Sequence, residues 1–214
     1  MMGKLLSSDG RKITIELEEA FNKEYLQLIA NGEENFLEVM PLDNRGISAK
    51  QNALSHALIA DVANWQGESD PALTKSALKI EYFRRVGIYF KHRKATKSDA
   101  KKWIEFLIEF VLSNNVPLPK VYNYLLDENS WFYQCLKYRR CCICMEQADI
   151  AHVDAVGMGR NRKKINHSDF RFMALCRCHH TEQHTIGLTE FFKKYRIILV
   201  KLNDEERKKL RIGG

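Results

Sequence analysis

The sequence predicts an α+β protein. A mostly helical N-terminal domain with a small hairpin occupies residues 1–135, and a small, Cys- and His-rich module of strands and helix occupies residues 136–214. Three observations predict this. Apolar residues recur at helical spacing in several stretches before residue 115. All six cysteines lie at or after Cys135, and five of the seven histidines lie between His152 and His184. The charge divides at the same place: from Lys137 onward 17 Lys+Arg face 9 Asp+Glu, whereas the preceding residues carry 17 against 18.

Taken in order, "KLLSSDGRKITIEL" has two apolar-alternating runs around Asp9-Gly10, a hairpin signal. "LEEAFNKEYLQLIANG" reads as a helix stopped at Gly32. "NFLEVMPL" is a short strand candidate. Ser48 with Gln51 resembles a capping box, and Ala53, Leu54, Leu58, Ile59 and Val62 supply the helical stripe that follows. "PALTKSALKIEYFRRVGIYF" continues as helix from Pro71. Ser98 is the expected cap of the next helix, with Trp103, Phe106, Leu107, Phe110 and Val111 on its buried face. Isolated His56 and His92 read as structural residues.

A chain of 214 residues with 45% hydrophobic and 29% charged residues is ordinary for a globular protein. No apolar run reaches the ~18 residues of a membrane helix. "MMGKLLSSDGRKITIEL" lacks the apolar stretch of a signal peptide, so the expected location is cytoplasmic, with no membrane partner. Cysteines in that compartment are tested first as metal ligands. The basic C-terminal part points to polyanions, nucleic acid foremost.

"AKQNALSHALIADVANWQG", "LKIEYF" and "SDAKKWIEFLIEFVLSNNVPL" resemble the NinB (Orf) family of phage recombination proteins over roughly residues 45–118. The resemblance implies binding of single-stranded DNA and work beside a single-strand-binding protein.

The chemistry-bearing stretch is "LCRCHHTEQH", residues 175–184. Upstream, Cys141 and Cys144 form C-x2-C; here Cys176 and His179 form C-x2-H. Together they make a Cys3His set suited to a structural zinc. Cys142 and Cys178 are competing thiols, and a cluster of buried free cysteines is the competing interpretation. His180 and His184 are four apart, so on a helix both imidazoles face one way and can hold a second, catalytic ion. "DIAHVD" reads as a strand carrying His152. Gly157 and Gly159 then mark a loop bearing Arg160, Arg162, Lys163 and Lys164, candidate contacts for DNA phosphates.

The order C-x2-C, strand His, basic loop, C-x2-H-H-x3-H resembles the HNH (ββα-metal) nucleases, particularly those encoded by phages, from residue 141 to about 195. The resemblance implies a zinc-stapled ββα module. It implies His152 as general base and His180 and His184 as ligands of one divalent ion. Two positions depart from the pattern. The residue before the base, usually His or Asp, is Ala151. The middle Asn has candidates in Asn166 and His167, with Arg171 at a position often held by Asn.

Neutral imidazole can take a proton from water at neutral pH. Arg160 or Arg162 can stabilise charge on the phosphate. Oxygen-seeking Mg²⁺ and the imidazole-friendly Mn²⁺ or Ni²⁺ are the candidate ions. The expected function is a metal-dependent DNA endonuclease in phage recombination or replication, acting on single-stranded, branched or duplex DNA. The alternative is a non-catalytic recombination mediator that keeps the HNH fold as a zinc-stabilised DNA clamp.

Overall fold

The structure is a computed structural model that describes residues 2–118, 125, 129–153 and 170–212. The chain forms two compact units, Met1–Leu42 and Asp43–Gly214. The boundary expected at residue 135 falls inside the second unit.

In the first unit, β1 (Gly3–Ser8) pairs antiparallel with β2 (Ile13–Leu17), with a register shift between Leu5 and Ser7. Asp9 Oδ1 accepts from the Lys12 N–H at 2.8 Å, and Gly10 takes φ +91°, a conformation that favours glycine. Helix α1 (Lys23–Ala30) starts later than its apolar pattern suggests. Asn22 caps it by accepting from the Tyr25 N–H. No strand forms over "NFLEVMPL": Asn35–Leu42 makes no ladder among the described residues, and Phe36, Leu37 and Met40 are exposed. Apolar content there was not matched by a pairing partner.

The second unit holds the core. Helix α2 (Ala49–Gln66) has the expected Ser48–Gln51 capping box. Leu54, Leu58, Ile59 and Val62 are buried, whereas Ala53 is exposed. Helix α3 (Pro71–Val86) is capped by Asp70 and ends at Gly87, φ +75°. A 3-10 turn, His92–Lys94, leads to α4 (Lys97–Ser113). Its cap is Thr96, in a capping box with Asp99, rather than Ser98. Ser98 instead donates its hydroxyl to Asp43 Oδ2 at 2.6 Å. Trp103, Phe106, Leu107 and Val111 are buried as expected, and Phe110 is half-buried.

Helix α5 (Asn129–Tyr138) packs against α4 on one side and the second sheet on the other. That sheet is antiparallel, in the order β3 (Asp149–His152), β4 (Arg171–Leu175), β5 (Val200–Lys201). Helices α6 (Arg177–Ile186), α7 (Leu188–Tyr195) and α8 (Asp204–Leu210) complete the unit. One apolar cluster runs from Leu54 through Trp131, Cys135 and Leu136 to Phe172 and Ile212. Each fully buried large apolar side chain in it contributes about 1.5–3 kcal/mol. Residue 135 therefore marks a change of composition, while packing is continuous across it. No described helix is long and apolar enough to cross a membrane.

Candidate metal centre

The chain from Arg140 to Gln147 folds back on itself as a tight turn, closed by an isolated bridge between those two residues. Within it the Cys141 N–H donates to Glu146 O at 2.8 Å, and the Met145 N–H returns to Cys141 O at 2.9 Å. Met145 takes the left-handed conformation, φ +68°. The turn is fastened from two sides. The Cys142 N–H donates to Ala174 O on β4, and Trp131 Nε1 on α5 donates to Cys142 O, each at 3.1 Å.

The other half of the cluster comes from the junction of β4 and α6. Cys176 is the N-cap of α6, and His179 lies in its first turn. Cys176 Sγ is 3.1 Å from His179 Nδ1, Cys141 Sγ is 3.5 Å from the same nitrogen, and Cys144 Sγ is 3.6 Å from Cys176 Sγ. All four ligand atoms lie within 4.8 Å of one another, so the set can hold a metal ion. Tetrahedral zinc with ~2.3 Å Zn–S bonds spaces its sulfurs about 3.8 Å apart, which these distances fit. Burial pushes the Cys176 thiol up, but hydrogen bonds with the His179 N–H, the Cys144 and Cys141 thiols and the Cys178 N–H outweigh it and the net direction is down, whereas burial pushes the neighbouring Cys144 up to about 12.

The competing thiols are placed elsewhere. Cys142 is buried in the core, and burial pushes its thiol well above the ordinary range. Cys178 is exposed on α6. A brace behind the site was not legible in the motif. Tyr195 of α7 meets the His179 ring edge-on at 5.4 Å. Its hydroxyl donates to Glu182 Oε2 at 2.8 Å, and Lys194 Nζ donates to Glu182 Oε1 at 2.5 Å. Lys194, then Tyr195, hold the Glu182 carboxyl below its usual value. Glu182 is in the quoted motif, but its partners come after Gly187 and only the turn between α6 and α7 delivers them.

On the next positions of α6, His180 and His184 bring their Nε2 atoms to 3.2 Å. Two imidazoles bonded to one ion at about 2.0–2.1 Å in tetrahedral geometry hold their nitrogens roughly 3.3 Å apart. His184 is exposed and His180 half-buried, while Gln183, between them, is buried and anchors the helix. The His180 N–H donates to Cys176 O at 2.9 Å, so one turn of helix links the two clusters.

Strand β3 runs beside β4 with Asp149 opposite Leu175 and His152 opposite Phe172. The order β3, β4, α6 is the expected strand–strand–helix succession. Ala151, opposite Met173, is 3% exposed and part of the apolar core. Arg171 starts β4 opposite Lys201. Arg160, Arg162, Lys163, Lys164, Asn166 and His167 lie outside the described residues.

Residues 8–213 match the family model described as "Putative HNHc nuclease". No curated protein matches the chain, and no solved structure does. By this match over nearly its whole length, the chain belongs to that HNHc nuclease family.

Proposed function

We propose that the protein is a metal-dependent DNA endonuclease that hydrolyses phosphodiester bonds. In this proposal zinc occupies Cys141, Cys144, Cys176 and His179 and staples residues 136–214 as the reactive module. A second divalent ion, such as Mg²⁺, Mn²⁺ or Ni²⁺, is held by His180 and His184. The observation that carries the proposal is the 3.2 Å approach of the two Nε2 atoms on the helix that also closes the Cys3His cluster.

The divalent ion supplies positive charge at the phosphate and the leaving oxygen. The chain's own part is proton transfer and positioning. His152 takes a proton from the attacking water as its oxygen bonds to phosphorus. The bond from phosphorus to the 3′ oxygen breaks, and that oxygen takes a proton from solvent. Arg160 and Arg162 are assigned to the developing charge on phosphate, and they are joined by Lys163 and Lys164 in holding the neighbouring backbone. A setting in phage recombination or replication, and a single-strand-binding protein as partner, rest on the resemblance of residues 45–118 and the phage-type motif.

The burial of Ala151 favours a second candidate, a zinc-stabilised DNA clamp without cleavage, because a buried methyl group offers no ligand. Nicking of supercoiled plasmid with Mg²⁺, Mn²⁺ and Ni²⁺ in turn separates the two. Cleavage by the parent chain, abolished in His152→Ala and His180→Ala, supports the enzyme. Binding without cleavage under all three ions supports the clamp.

A further inference from the structure

The near-neutral balance of the first 136 residues conceals a strong local segregation. Residues 75–102 contain ten Lys+Arg against two Asp+Glu, a balance of +8, while the rest of that part carries −9. The fold brings five of them, Lys75, Lys79, Lys91, Lys94 and Lys102, to where α3, the 3-10 turn and the start of α4 meet. A cavity of about 170 Å³ lies there, walled by Tyr82, Tyr89 and Phe90 and rimmed by Lys91, Lys94 and Lys102. Tyr89 is 46% exposed, and Lys79 Nζ stands 5.7 Å from its ring centroid. Burial and then the charge of Lys75, one turn earlier on α3, push the Lys79 ammonium below its ordinary range.

The acids of the segment are already engaged. Asp99, which also lines the cavity, accepts from the Thr96 N–H and hydroxyl, and Glu81 pairs with Arg85. Among the described residues no carboxylate forms an ion pair with Lys75, Lys79, Lys91, Lys94 or Lys102. Uncompensated cations cost stability through mutual repulsion, and a polyanion relieves it. Lysines spaced around an exposed ring match a nucleic-acid strand, whose phosphates take the ammonium groups and whose base stacks on the aromatic face.

We infer that this α3–α4 surface is a second nucleic-acid contact, separate from the metal-bearing module, with Lys75, Lys79, Lys91, Lys94 and Lys102 on phosphates and Tyr89 under a base. It rests on DNA being the substrate of the proposed nuclease. The surface anchors the strand away from the histidine pair, so a substrate is held at two places on one chain.

The test is fluorescence anisotropy of the full chain with a labelled single strand and with a duplex of the same sequence, across a salt series. The variants are the combined Lys79→Ala, Lys91→Ala, Lys94→Ala and Lys102→Ala chain, its Lys→Arg counterpart, and Tyr89→Ala. The alanine chain should lower the slope of log affinity against log salt by about 3, since each phosphate contact contributes roughly 0.7–0.9. The arginine chain should keep the parent's slope, which separates charge from misfolding. Tyr89→Ala should weaken single-strand binding about tenfold with the slope unchanged. The form, strand or duplex, that loses more affinity identifies the physiological ligand. An unchanged slope in the alanine chain overturns the inference. So does loss of binding only to phosphatidylserine vesicles, which would make the surface a lipid contact. A parent chain that binds through this surface but never cuts refutes the nuclease and leaves the surface standing.

Discussion

The Nε2 atoms of His180 and His184 stand 3.2 Å apart on successive turns of α6, close enough to share one ion or one proton. The same helix places His179 Nδ1 3.1 Å from Cys176 Sγ. Adjacent histidines thus serve different clusters because successive helix positions differ by about 100° in direction.

Removing either imidazole of the pair should separate the two metals. His184→Ala should bind the second ion at least 10–100-fold more weakly, the range that loss of a mere outer partner already costs. It should keep a full equivalent of zinc. Calorimetric titration with Mn²⁺ alongside elemental analysis checks both, and loss of zinc in His184→Ala would sink the division of labour.

The Cys3His cluster makes the opposite prediction. Cys144→Ala should lose zinc and lower the melting temperature of the unit from Asp43 to Gly214 in one transition, because the core is continuous across α5. Cys142→Ala should keep its zinc and cost on the order of 1 kcal/mol, the scale of trimming a small buried side chain. Equal zinc loss in the two variants would mean the ligand set is misassigned.

The start of α4 supplies a test of local structure. Thr96→Ala removes the side chain that accepts from the Asp99 N–H and should cost about 1 kcal/mol in urea unfolding. Ser98→Ala leaves that capping box intact. It loses the hydroxyl bond to Asp43 while keeping the 3.0 Å bond from the Ser98 N–H. Thr96→Ala should therefore be the more damaging of the two.

His92 should make stability depend on pH. Its Nε2 lies 3.0 Å from Ser55 Oγ, which accepts from Trp103 Nε1 at 2.7 Å. Burial, then the nearby Lys75, Lys79 and His56, push His92 from 6.5 down to about 4. The unfolded chain therefore takes up this proton near pH 6.5 and the folded chain only near pH 4. The stability involved is fully present above pH 6.5 and is lost as pH falls through that window. Denaturant midpoints at both ends of the window should fall further for the parent than for His92→Gln. Parallel losses would show that another group carries the acid sensitivity.

The sequence alone determined the features that depend on local spacing. The Ser48–Gln51 box, the Asp9-Gly10 turn, the separate C-x2-C and C-x2-H halves of the Cys3His set and the paired direction of His180 and His184 each rest on residues a few positions apart. In each, a turn or a helix leaves the chain little choice. The family was legible in the same way, since its motif is a pattern of spacings. Tertiary structure decided whatever depends on partners distant in the chain. Thr96 rather than Ser98 caps α4, because Asp43, 55 positions away from Ser98, takes the Ser98 hydroxyl. "NFLEVMPL" has strand-like composition, yet a strand needs a neighbour to satisfy its backbone, and none pairs with it. The compositional break at residue 135 does not divide the fold, because α5 buries one face on α4 and another on β4. Tyr195 reaches His179 only because α7 folds back on α6. The α3–α4 basic segment escaped a charge count over the whole first part because acids elsewhere in that part cancel it in the sum. Local stereochemistry acts through the chain and can be read along it; packing and electrostatics act through distance, which only the folded chain defines.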